Sequence, residues 1–171
     1  MSKFNAHRIA VIGVVAAIYV VITIVGADLS YGPIQFRVAE AFMLLCFFNK
    51  DYIFSLTIGC FIANIFSTVG LIDTVVGTSA TLVAAIMIYV FRNEDSAVRM
   101  VICSLFPVVV NGLMVGAELN LVLKLPFWLS VGEVAFGECV CVTVLGVIIF
   151  RLLSKNKGFM KLIMAEQTVK A

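Results

Sequence analysis

Six apolar stretches, parted by short polar turns, constrain this chain more than anything else in it. A helix crosses the hydrocarbon of a bilayer in about 20 mostly apolar residues, and all of these stretches but the short second one fall near or above that length. They cover 9–25, 37–48, 52–68, 73–91, 97–115 and 127–153. The expectation is an all-α, integral membrane six-helix bundle forming a single transmembrane domain over 1–171. Composition agrees: 63% of the 171 residues are hydrophobic and 13% charged, against roughly 45–50% and 25% in soluble domains. The length leaves no room for a separate soluble domain, and a net charge of +2 is too small to suggest nucleic acid.

The first stretch follows Lys3 and Arg8 and ends on the small residues of Val25-Gly26-Ala27, the outline of a secretory signal. Its near-spanning length makes it the first transmembrane helix instead. The second and fourth stretches are open to being short or broken. Gly70 reads as a helix stop and Asp73 as an N-cap. Pro126 sits where a first turn tolerates proline, and the last stretch is long enough to tilt or to project into the cytoplasm.

Orientation follows from the basic residues. With both termini cytoplasmic, Lys3, Arg8, Lys50, Arg92, Arg99, Arg151, Lys155, Lys157, Lys161 and Lys170 lie inside. Only Arg37 and Lys124 of the twelve Lys and Arg then lie outside.

On that topology the polar residues gather toward the outer side. Asn64 is near the outer end of the third helix and Asn111 near that of the fifth. Arg37 and Glu40 open the second helix, Glu118 follows the fifth, and Glu133 lies roughly 10 Å into the sixth at 1.5 Å per residue. Ionisable groups at one depth in several spans suggest a shared cavity. The plainer alternatives are interhelical amide bonds for Asn64 and Asn111 and a local surface pair for Arg37 and Glu40, three residues apart. Glu133 and Glu138 project about 140° apart on an ideal helix, so both cannot line one narrow pocket. Glu133 is the better ligand candidate, and Glu138 reads as a packing or neutral buried carboxyl.

A second pattern lies on the first helix. Ala6, Ala10, Gly13 and Ala17 share one face of its cytoplasmic half, and small residues let another helix approach closely. Packing within the bundle is the plain alternative. A similar stripe in Gly77, Thr81 and Ala84 or Ala85 reads as internal.

Enzyme chemistry finds little support. His7 is the single histidine, so no histidine dyad or metal cluster can be built on it. The five cysteines are scattered through apolar runs without a Cys-x-x-Cys pair and read as small buried hydrophobes. No phosphate-binding Gly-x-x-x-x-Gly-Lys loop is present, so ATP hydrolysis, where it powers uptake, falls to another subunit.

These residues carry a family resemblance. Ile34-Gln35-Phe36-Arg37-Val38-Ala39-Glu40-Ala41 resembles the loop that opens the second helix in the QueT family. So do Ile58 to Asn64, Asp73 to Leu82, and Gly132-Glu133 in the last helix. The resemblance covers nearly the whole chain, and its Gln-Phe-Arg-x-x-Glu segment is its most specific part. It implies a queuosine-precursor transporter, the substrate-binding S component of an energy-coupling factor (ECF) importer in a bacterial cell membrane. Such components have six helices and bind a micronutrient near the outer surface, under the loop joining helices 1 and 2. They assemble with a transmembrane coupling subunit (EcfT-like) and two ATPase subunits (EcfA-like), which alone bind ATP; no cofactor or metal of the chain's own is implied. The helix 1 contact motif would fall on Ala6, Ala10, Gly13 and Ala17, with glycine in place of one alanine.

The resemblance also implies roles around a 7-deazaguanine ring. Glu133 or Glu40 would accept from its amino and ring N–H groups, and Asn64 or Asn111 would pair the remaining polar edge. Tyr31, Phe36 or Trp128 would stack on the ring, with Gln35 in the same loop. Arg37 would orient Glu40 or the loop rather than touch the base, and an aminomethyl substituent would add a cation suited to a carboxylate. Tyr31 to Glu40 would form the lid and rim. The alternatives are another heteroaromatic precursor, such as a hydroxymethylpyrimidine or a pyridoxine-like compound, and a stand-alone carrier. A carrier would need a polar path through the inner halves of the helices, which are dry.

Overall fold

The computed structural model of the chain describes residues 6–32, 34–93 and 96–164. Lys3 and Lys170 of the charge argument, and Pro33 of the loop, lie outside them. Helix α1 spans Ala6–Val25 and is followed by a short α2, Ala27–Ser30. The second apolar segment is a 3-10 helix, Val38–Leu44, that relaxes into α3, Leu45–Phe48. Then come α4 (Asp51–Asn64), α5 (Leu71–Phe91) and α6 (Ala97–Leu123). The last span is α7 (Phe127–Glu138), a π-helical segment (Cys139–Gly146) and α8 (Val147–Leu153). A short α9, Lys157–Ile163, ends the described chain.

Four of these spans, Arg8–Val25, Leu71–Phe91, Ala97–Leu123 and Phe127–Leu153, are long and apolar enough to cross a membrane. Val38–Phe48 and Asp51–Asn64 are shorter apolar helices. The described chain is all-helical, with no strand, as a membrane bundle requires.

The boundaries differ from the expected ones where capping and packing outrank hydropathy. Helix α4 stops at Asn64, and Gly70 is the N-cap of α5 rather than a stop. Its φ of 83° is a left-handed conformation that suits glycine. Asp73 is therefore inside the first turn of α5 and free of capping duty. Helix α6 runs on to Leu123, so Glu118 lies within it, and Asn111 lies mid-helix, about 18 Å from that end. Pro107, inside α6, removes one backbone donor.

Contacts between named residues set the packing. Arg8 pairs with Asp51, and a Cβ on Gly59 would lie 3.0 Å from the Cβ of Tyr19, so α1 and α4 run side by side in the same direction. Thr81 bonds Cys60 across α4 and α5 at 3.2 Å. Gly112 and Gly116 of α6 abut Ala135 and Val131 of α7. The 3-10 segment lies along the last span, with Ala41 and Leu44 on Gly146 and Phe48 beside Phe150.

The interior holds Tyr19, Met43, Leu44, Phe47, Leu56, Cys60, Ile88 and Phe150 together with buried polar groups. The exterior carries Val14, Phe54, Phe61, Val75, Val109 and other large apolar side chains. Lipid is as apolar as leucine, so close packing at small residues and interhelical hydrogen bonds hold such a bundle. At one end of the bundle Arg8 pairs with Asp51 beside Lys50, Arg151 and Lys155 line one cleft with Phe48 and Ser96, and α9, with Lys157 and Lys161, docks beside Asn49 and Tyr52. Asn49 Nδ2 and Tyr52 Oη both donate to the Ile163 carbonyl, at 3.4 and 3.3 Å. Arg37 and Lys124 belong to the opposite end.

Two small-residue stripes part ways in the structure. Gly77, Thr81, Ala84 and Ala85 are buried, as expected of an internal stripe. Ala6, Ala10, Gly13 and Ala17 are exposed, and a Cβ on Gly13 would meet nothing within 4 Å. Packing within the bundle does not explain that second stripe.

Candidate functional site

At the end away from the basic cluster, the loop after α1 folds down against α4 and α7. Tyr31 Oη donates to the Ala63 carbonyl at 2.6 Å. Burial pushes its hydroxyl above the usual range and keeps it a donor. The carbonyls of Ile34 and Gln35 press on Gly137 of α7 so closely that no side chain could stand there. Phe36 meets the edge of Phe136 at 5.9 Å between centroids. Gln35 is buried with a φ of 50°, which a residue with a Cβ adopts only when its surroundings hold it. A cleft of about 130 Å³ opens beside this loop, lined by Tyr31, Gly32, Gln35, Ser67, Thr68 and Leu119 among others.

Below the loop lies a buried polar cluster. Arg37 is 5% exposed and Glu40 fully buried. They act on each other electrostatically but form no direct ion pair, so a surface pair is excluded. Glu40 accepts a short hydrogen bond from Tyr19 and interacts with Thr81. The Cys60 sulfur accepts from Thr81 at 3.2 Å, Asn64 Nδ2 at 3.4 Å and Arg37 Nη1 at 3.9 Å. Asn64 Nδ2 also reaches the Asp73 carbonyl at 3.1 Å. Asn111 Nδ2 donates to Glu138 Oε1 at 2.7 Å, and Glu138 lies in the electrostatic reach of Glu40 and Arg37. Asp73 and Glu118 are within reach of Arg37 from the other side.

What distinguishes this cluster is what it leaves unpaired. Arg37 Nη2 is an unused donor, and Glu40 Oε2, Glu138 Oε2, Asn111 Oδ1, Asn64 Oδ1, Asp73 Oδ1 and both Glu118 oxygens are unused acceptors. Buried polar groups in folded proteins are nearly always hydrogen-bonded. An acceptor-rich set around one guanidinium can bind a guest with several N–H donors and one acceptor. No group of three or more His, Cys, Asp or Glu among the described residues could hold a metal ion.

The profile of the QueT transporter family matches residues 9–155, most of the chain. The chain belongs to the QueT transporter family. A relative from Lactococcus lactis subsp. cremoris (strain MG1363), the queuosine precursor transporter QueT, is 35% identical over 149 residues, covering 81% of this chain and 87% of that protein. No solved structure matches the fold. Family and helices together make this a multi-pass membrane transporter rather than an enzyme.

Within this QueT-family chain the expected residues fall into two groups. Tyr31, Gln35, Arg37, Glu40, Asn64 and Asn111 come together in the loop and the cluster beneath it. Glu133 is only half-buried, and Trp128 is 76% exposed, edge-on to Phe127. Phe36 is committed to Phe136, and of the expected stacking rings Tyr31 lies by the guanidinium, whose carbon is 5.8 Å from the ring centroid. The 140° offset on α7 does hold, but the carboxylate it turns inward is Glu138. Tyr19, Cys60, Asp73 and Thr81 join the cluster as well. Cys60, Asp73 and Thr81 stand inside the segments that carry the family resemblance, the signal that could have pointed to them.

Proposed function

We propose that this chain is the substrate-binding S component of an energy-coupling factor importer, and that it takes up a queuosine precursor of the 7-deazaguanine type. The observation that carries this reading is the set of buried, unpaired acceptors around Arg37, in a family whose Lactococcus relative bears that substrate in its name. A 7-deazaguanine ring offers amino and ring N–H donors on two edges and one carbonyl. Glu138 Oε2, Glu40 Oε2 and Asn111 Oδ1 accept from the donors, and Arg37 Nη2 donates to the carbonyl. Arg37 thus takes a direct role beside its support of the loop. The loop from Tyr31 to Glu40 forms the lid, and the neighbouring cleft is its mouth.

The chain crosses a bacterial cell membrane six times, with Val38–Phe48 and α4 as short crossings and both termini in the cytoplasm. Collection of the basic residues at one end supports that orientation. The exposed face of Ala6, Ala10, Gly13 and Ala17 receives the transmembrane coupling subunit, and two ATPase subunits supply the energy. The chain itself uses no cofactor. Mass spectrometry of the ligand that co-purifies, followed by co-expression with coupling and ATPase subunits, tests both halves. A bound 7-deazaguanine and a recovered complex are expected. A different heteroaromatic ligand overturns the substrate, and absence of any complex overturns the S-component role.

A further inference from the structure

An apolar groove lies apart from the polar cluster, toward the end that carries Arg8 and Arg151. Val14 and Ile18 of α1 line it together with Ile149 and Leu153 of α8, and Leu45 of α3 and Leu162 of α9 complete it. Its volume is about 440 Å³, within the range of sites that hold small ligands. Tyr52 is the one lining residue with a polar side chain, and its hydroxyl is spent on the Ile163 carbonyl at 3.3 Å. A polar nutrient therefore finds nothing to bond here, and a hydrocarbon chain needs nothing to bond.

Length and charge point to one occupant. Along α1 the groove runs from Ala10 to Ile18, about 12 Å at 1.5 Å per residue. One leaflet holds about 15 Å of hydrocarbon, half of the bilayer core. The groove thus starts just after Arg8 and is about as deep as a single leaflet. A spanning helix of a partner protein would need a seat along the whole of α1. The elements that build the groove are also basic at this end. Among α1, α3, α4, α8 and α9, Asp51 is the sole acidic residue, and it is paired with Arg8. Lys50, Lys157 and Lys161 are exposed. Lys157 and Lys161 stand one turn apart on α9, the helix whose Phe159, Leu162 and Ile163 line the groove. A leaflet-deep hydrocarbon seat beside ammonium groups without acidic partners matches an anionic lipid, whose chain leaves the bulk bilayer while its phosphate meets lysine.

We propose that this groove holds one acyl chain of an anionic phospholipid, whose headgroup rests on Lys157 and Lys161. The site is separate from nutrient recognition, and it shares only Ala10 with the exposed small-residue stripe of α1. The test is native mass spectrometry of the full chain in detergent, titrated with dioleoylphosphatidylglycerol and with dioleoylphosphatidylcholine, which has the same chains and no net charge. The unaltered chain is expected to bind its first phosphatidylglycerol at least about fivefold more tightly, the effect of one lysine near an anionic headgroup. Lys157→Gln combined with Lys161→Gln is expected to bring the two lipids within about twofold of each other. Val14→Trp fills the groove from a side chain that is 58% exposed, so the interior is untouched, and is expected to lose the first site for both lipids. Equal affinity of the unaltered chain for the two lipids overturns the proposal, and that comparison needs no variant to fold. An unchanged first site in the Val14→Trp chain overturns it too, by placing the lipid on another face. A Val14→Trp chain that keeps its lipid and instead loses a co-purifying partner protein assigns the groove to that partner, and overturns it as well.

Discussion

Asn111, midway along α6, donates its amide hydrogen to Glu138 at the last turn of α7, 27 residues away in the chain and 2.7 Å away in space. The bond fixes one carboxylate oxygen and turns the other, which has no partner, into the cluster. Glu138→Gln is expected to lower affinity for the ligand by about tenfold or more, the usual size of a hydrogen bond to a charged group. Asn111→Ala acts in the same direction by freeing the carboxylate. Glu133→Gln, on a half-buried side chain of the same helix, is expected to leave affinity within about twofold. Calorimetry on the three purified variants separates these outcomes, and a large loss in the Glu133 variant alone would place the site on the other face of α7.

Tyr19 is the only hydroxyl that α1 sends to Glu40. Tyr19→Phe leaves the fully buried Glu40 with Thr81 as its remaining hydroxyl neighbour, at a cost of about 1–3 kcal/mol. A chain of this size then melts about 3–10 °C lower in detergent. An unchanged melting temperature would mean that another group takes the proton's place.

Gly137 is where the loop meets the last span. An alanine in a helix interior ordinarily stabilises by about 1 kcal/mol over glycine. Here its Cβ would meet the carbonyls of Ile34 and Gln35, so Gly137→Ala is expected to lift the loop. Limited proteolysis should cut the variant faster between residues 31 and 37, with weaker ligand binding at unchanged helical content.

Gly13 offers the opposite case. A Cβ there meets nothing, so Gly13→Leu leaves the bundle and its ligand affinity intact. If the exposed stripe receives a coupling subunit, the same variant fails to co-purify with it and fails to support uptake. Retained assembly would assign that contact to another face.

Much of the fold was legible because hydropathy reports directly on lipid. The long helices α1, α5 and α6 and the last span all stand where apolar runs predicted them, and the second apolar segment, Val38–Phe48, is a short helix, as its length allowed. Boundaries were less legible where a local conformation overrides hydropathy. Gly70 looks alike in sequence whether it ends one helix or begins the next, and only its left-handed backbone decides. Because α6 continues past Val115, Glu118 moved from a loop into the bundle.

The site was half legible. Arg37, Glu40, Asn64 and Asn111 stood out because a charge or amide in an apolar run is costly and therefore informative. Tyr19, Cys60 and Thr81 carried no such cost and looked like ordinary packing residues. The choice between Glu133 and Glu138 turned on which face of α7 meets α6, and periodicity along one helix cannot contain that. It is set by Gly112 and Gly116, which seat Ala135 and Val131 and so roll Glu138 toward Asn111.

The π-helical segment from Cys139 to Gly146 begins at the residue after Glu138. A helix bonded i→i+5 turns less per residue than one bonded i→i+4, so the two halves of the last span are out of phase with a continuous α-helix. Gly146 and Phe150 hold the inner half against the second segment, and the outer half takes its angular setting from the residues between. Ordinary α winding of the same number of residues would turn Glu138 away from its present setting against Asn111. Every amino acid of the cluster would still be present in such a chain. The setting of Glu138 against Asn111 therefore rests on the winding of the last span as well as on the kind of its residues.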